Sequence, residues 1–123
     1  MGHHLFMHDG KSLPMRDGDV ALVRHFLIEG ARRHGDQPVA SAIIGWEYQG
    51  PGVWIGVDET ALADRGQVFA AGIEVVEKLG DHIPLDYLHG NVKLPGGGWL
   101  KAQPTSDVVA RIRELEEHLH ERT

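Results

Sequence analysis

A chain of 123 residues is long enough for one domain with its own core, and the absence of cysteine rules out disulfides and thiolate metal sites. Eighteen acidic residues against 12 basic ones give a net charge of −6. That balance disfavours nucleic acid as a partner, since such affinity comes largely from basic side chains neutralising phosphates. The apolar runs are too short to span a bilayer, the start lacks a signal-peptide pattern, and Phe6 stands where a myristoylation motif wants Ser or Thr. A soluble, cytoplasmic protein with no membrane partner is expected.

Residues 1–17 carry His3, His4, His8, Gly10 and Pro14 with no clear periodicity, and read as a flexible N-terminal arm. Residues 18–123 read as a single α+β domain. Asp19 begins a helix that runs to His34, with Val23, Phe26, Leu27, Gly30 and Ala31 as its buried stripe. Arg32, Arg33 and His34 suit the negative end of that helix, and Gly35 stops it.

The stretch from Ala40 to Asp58 reads as a hairpin about Pro51-Gly52. Alternation puts Ile44, Trp46 and Tyr48 on one face, opposite Val53, Ile55 and Val57. Ile43, Glu47 and Trp54 then share the other face, with Gly45 and Gly56 between them. Residues 58–66 form a polar connection with a short helical turn at 60–63. A second helix spans Gln67 to Leu79, its stripe made by Phe69, Gly72, Ile73, Val76 and Leu79.

Pro84 makes residues 83–88 an edge or irregular segment rather than a helix. Residues 92–94 and 99–102 read as a second hairpin about the glycine-rich turn 95–98. Thr105 or Ser106 caps a last helix, in which Val108, Ile112, Leu115 and Leu119 recur at helical spacing. The expected order is helix-strand-strand-helix-strand-strand-helix. Four to five short strands form a meandering, mostly antiparallel sheet, with the three helices mainly on one face.

Nine histidines raise the question of a metal. His82, Asp86 and His89 match no metal-binding signature, and solvated loop residues are the simpler reading. If Met1 is removed, Gly2-His3-His4 offers the square-planar nitrogen set that Cu(II) or Ni(II) prefers, a chemistry any exposed tail of that sequence would have. No metal or cofactor is therefore expected to be built in. His118 and His120 read as surface residues of the last helix.

Residues 95–98 lack the ending of a phosphate-binding loop, and Ser12, Ser41 and Ser106 lie in no nucleophile elbow. No residue is expected to be catalytic, and Glu47 reads as a solvated strand residue. The leading expectation is a small non-catalytic interaction module, self-associating as a homodimer or blocking a basic partner as an inhibitor or immunity protein does. Its surface would comprise Ile43, Glu47 and Trp54, because aromatic anchors dominate binding energy at interfaces. The alternative is a small-molecule binder or enzyme whose pocket lies near the 95–98 turn, lined by His82, Tyr87, His89 and Trp99.

Overall fold

The computed structural model describes residues 2–92 and 103–120. They form an α+β fold of five α-helices and three small antiparallel strand pairs. The pairs are separate two-stranded sheets, so the expected single meander is replaced by three hairpin-like ribbons set among helices.

The first ribbon lies where a loose arm was expected. β1 (His3–His8) pairs with β2 (Lys11–Arg16), joining at Asp9-Gly10. Both turn residues have positive φ, 50° and 78°, the backbone that a two-residue loop needs to match strand twist. His4 and Phe6 point inward and are buried, as is Met15 across the ladder, while Leu5 and Met7 point outward. Pro14 faces Leu5 on β2, which is tolerated because β2 belongs to a two-stranded ribbon. The segment is thus part of the core.

α1 (Asp17–His34) is the central element, touching α2, α3, α5 and the first ribbon. Every residue of its expected stripe is buried, and Gly35 ends it in the left-handed conformation at φ 78°. α2 (Gln37–Ile44) is a helix where a strand was expected. Asp36 caps it by accepting from the Val39 amide at 3.3 Å, Pro38 sits in its first turn, and Val39, Ala40 and Ile43 are buried. This helical spacing outweighs the β-propensity of Ile43 and Ile44. Trp46 follows in the core, 2 % exposed, with its ring 5.8 Å from that of Phe6.

The second ribbon, β3 (Glu47–Gly50) with β4 (Val53–Ile55), turns at Pro51-Gly52 as expected. A 3-10 turn at Glu59–Leu62 leads to α3 (Gly66–Glu77). α3 crosses α1 at two glycines. A Cβ on Gly30 would come within 2.6 Å of the Gly72 amide nitrogen, and one on Gly72 within 2.9 Å of the Phe26 carbonyl. The absent side chains let the two backbones approach.

β5 (His82–Ile83) pairs with β6 (Gln103–Pro104). Between them α4 (Leu85–Asn91) begins directly after Pro84, so proline precedes a helix here rather than forbidding one. The second expected hairpin falls mainly in residues 93–102, outside the described residues. α5 (Thr105–His120) buries Val108, Ile112, Leu115 and Leu119 as their spacing implies. Its first residue is Thr105, whose side-chain hydroxyl donates to the Asp81 carbonyl at 3.1 Å and so ties α5 to β5.

Candidate interaction surface

The second ribbon has an extra residue. Gly50 pairs with Val53, but Tyr48 pairs with Trp54 and Glu47 with Ile55, so Gln49 is a bulge. Next to the turn Gly50 stands opposite Val53 where Tyr48 was expected, a shift of two that keeps the expected faces. Beyond the bulge the pairing differs from that at the turn by one residue, and an odd slip sends every side chain to the face opposite the expected one. Trp54 therefore shares a face with Tyr48, their ring centroids 5.6 Å apart. Glu47 shares the other face with Ile55.

Asp17, in the first turn of α1, fixes which face looks inward. Its Oδ1 accepts from the Trp54 indole nitrogen at 3.0 Å, and its Oδ2 accepts from the Gly52 amide at 2.9 Å. Its own amide donates to the Gly2 carbonyl at 3.3 Å. Trp54 is partly buried against the core. The backbone of His3 also lies against Gly52, whose φ of 74° and lack of Cβ leave room for it.

These contacts lay β1 beside β4. His3 lies against Gly52 at one end, and the Met7 amide donates to Glu59 Oε1 at 3.3 Å at the other. The inward sides of both strands meet the core through Phe6 and Trp54. On the outward sides Leu5 is 52 % exposed, Met7 52 %, Val53 53 % and Ile55 47 %. Glu47 is exposed beside Ile55. Four large apolar side chains are thus exposed on two neighbouring strands, Leu5 and Met7 on β1 and Val53 and Ile55 on β4.

The surface expected from Ile43, Glu47 and Trp54 is thus not assembled. Ile43 is wholly buried in α2, Trp54 faces Asp17, and of the three only Glu47 looks outward. Of the apolar residues exposed instead, Leu5 and Met7 belong to the expected arm, and Val53 and Ile55 to the hairpin face expected with Trp46 and Tyr48. A sequence signal was present. Leu5-Phe6-Met7 and Val53-Trp54-Ile55 are each apolar on both faces of a strand, where a half-buried strand should alternate.

Of the residues expected to line a pocket, His82 and His89 are exposed, and Trp99 lies outside the described residues with the 95–98 turn. Tyr87 is engaged with α1: its hydroxyl and His25 Nε2 share a hydrogen bond of 2.8 Å, and its ring lies parallel to that of Phe26 at 6.1 Å. Burial lowers the His25 pKa and raises that of Tyr87, with Glu29 opposing the first shift and adding to the second. Both effects keep this pair neutral.

His4, half of the tail chelate considered above, is 8 % exposed within β1, its ring edge-on to Phe6 at 4.6 Å. Its backbone is held in the ladder opposite Met15, which removes the free tail that such a chelate requires. Burial lowers its pKa, partly offset by the Glu59 and Asp17 carboxylates. Among the described residues, no three His, Asp or Glu side chains are grouped to hold a metal.

A cleft of about 160 Å³ opens between α1 and α5, lined by Arg16, Asp19, Asp107 and Arg111 among others. Its charges answer one another. Arg111 Nη1 donates to both oxygens of Glu114, at 2.8 and 2.9 Å, and Arg111 Nε lies 3.7 Å from Asp19. Two carboxylates balance the two guanidinium groups of its lining, so it makes a poor anion site. No helix among the described residues is long and apolar enough to cross a membrane. No protein-family model, curated protein or solved structure matches this chain.

Proposed function

We propose that the chain is a small protein-interaction module that acts by docking, through the outward face of β1 and β4, rather than by catalysis. The observation that carries this reading is the exposure of Leu5 and Met7 on β1 and of Val53 and Ile55 on β4, two strands in contact. Single exposed apolar residues are ordinary, whereas a contiguous group on an ordered layer is the usual mark of a binding surface. Strands held from behind by Asp17 and the core present such a face without a large ordering penalty on binding. Glu47 supplies a polar rim, as expected of an interface whose apolar centre is bordered by solvated groups.

The experiment is site-specific photocrosslinking in cells that produce the protein. A benzophenone amino acid replaces Val53 or Ile55 in one set and Glu74, on the exposed side of α3, in another. Adducts identified by mass spectrometry from positions 53 and 55 but not from 74 agree with the reading. Equal or absent crosslinking at all three contradicts it.

A further inference from the structure

We propose that α4 is an acid-opened flap, latched to α1 at neutral pH by the Tyr87–His25 hydrogen bond and released when His25 takes up a proton. The helix is only 7 residues long and includes Gly90. A helix that short is marginal on its own in water, so its order depends on what it packs against. Leu88 is fully buried, and Tyr87 and the following Val92 are partly buried against the core. Leu85, Asp86, His89 and Gly90 are exposed. The Tyr87 hydroxyl and His25 Nε2, 2.8 Å apart, join α4 to α1. The Tyr87 ring lies parallel to that of Phe26 and edge-on to that of His25, at 6.1 and 5.6 Å.

Acid acts on this contact because of where the imidazole sits. With α4 in place the His25 ring is partly buried against Phe26 and Tyr87. Burial is the main force against its charge; Glu29 favours that charge, and Arg24 and Arg32 oppose it. Those three residues all lie on α1. On α4, Asp86 and His89 are exposed, and Tyr87 is kept neutral by burial and by Glu29, against the pull of Arg33. An imidazolium can still donate to the Tyr87 oxygen, so acid does not abolish the bond itself. It imposes the cost of holding a cation away from water, a cost relieved when α4 lifts and the ring is hydrated. The ring binds a proton less readily with α4 closed than open. The closed form is therefore kept in full above the ordinary value of 6.5 and loses ground as pH falls below it. Opening uncovers Leu88 and the Phe26 ring, both wholly shielded when α4 is closed.

The test is native-state hydrogen exchange of the full chain at about pH 7.5 and about pH 5.5, each rate divided by the intrinsic rate at that pH. The reporters are the amides of Leu88 and Val92, bonded to the carbonyls of Pro84 and Leu88, with the buried turns of α5 around Ile112 and Leu115 as reference. The α4 amides should open more readily than those of α5 at both values, which marks the opening as local. Their opening constant should rise on acidification by at least about twofold and at most about tenfold, the ceiling that one proton sets a pH unit below the ordinary histidine value. His25→Gln should abolish that rise. Tyr87→Phe, which keeps the ring and loses the hydroxyl, should open α4 at least about twofold more at both values. A wild-type α4 constant that is flat between the two values overturns the proposal, as does a rise that survives in His25→Gln. So does an α4 no less protected than α5, or a Tyr87→Phe chain as well protected as the wild type.

Discussion

The Trp54 indole reaches across 37 residues of sequence to donate a 3.0 Å hydrogen bond to Asp17, which holds the turn of the second ribbon through the Gly52 amide with its other oxygen. One carboxylate thus couples the start of α1 to the tip of a hairpin and decides which side of β4 is solvated. Hydrogen bonds to a charged group contribute about 1.5–3 kcal/mol each. Asp17→Ala should therefore destabilise the fold by about 2–4 kcal/mol in urea unfolding. A double-mutant cycle with Trp54→Phe should return a coupling of about 1 kcal/mol or more. Additive losses would mean the pair does not interact.

The first ribbon belongs to the core. Phe6 is fully buried against His4 and Trp46, so Phe6→Ala should cost about 3–5 kcal/mol. Gly10→Ala, at φ 78°, should cost about 1 kcal/mol from backbone strain alone. Urea midpoints measure both. A dispensable arm would show no change in either.

The crossing of α1 and α3 permits no side chain at its centre. Gly30→Ala and Gly72→Ala each place a methyl group against backbone of the opposite helix, which cannot rotate away as a side chain can. Each substitution should destabilise by at least about 1–3 kcal/mol. The usual preference of helices for alanine over glycine would give the opposite sign. Thermal unfolding distinguishes the two.

Two histidines, His4 buried and His25 partly buried, set a dependence on pH. Burial lowers the pKa of His4 and of His25 below the ordinary 6.5. Above that value both are neutral in the folded and unfolded chain and add no slope. As pH falls below it, the unfolded chain takes up protons that the folded chain resists, so stability declines until the lowered folded values are passed. The urea midpoint should be level from about pH 8 to 7 and fall between about 6.5 and 5. His25→Gln should remove part of that fall. A midpoint that rises on acidification in this window would contradict the account.

The helices were the legible part of the sequence. Val23, Phe26, Leu27, Gly30 and Ala31 in α1 and Val108, Ile112, Leu115 and Leu119 in α5 recur at helical spacing, and all are buried. α2 was obscured because Ile43-Ile44 resembles a strand, while Asp36-Gln37-Pro38, an N-terminal helix signature, carried the decisive information. The β1–β2 turn was signalled by Asp9-Gly10, but apolar residues on both sides of β1 hid the alternation that identifies a strand. The hairpin about Pro51 was visible and its faces were not. A bulge adds one residue without changing the composition of the segment, and nothing in Tyr48-Gln49-Gly50 marks Gln49 as unpaired. That single residue separates a surface built on Trp54 from one built on Val53 and Ile55.

The most direct measurement uses the chain's lack of cysteine. Val53→Cys, Trp54→Cys and Ile55→Cys are prepared singly and reacted with a thiol reagent at submicromolar concentration, each compared with its own rate in urea. The account predicts that positions 53 and 55 react nearly as fast folded as unfolded, while position 54 is slowed at least about tenfold by its packing beneath the ribbon. Fast reaction at 54 with protection at 53 and 55 would place the indole outside and remove the docking face.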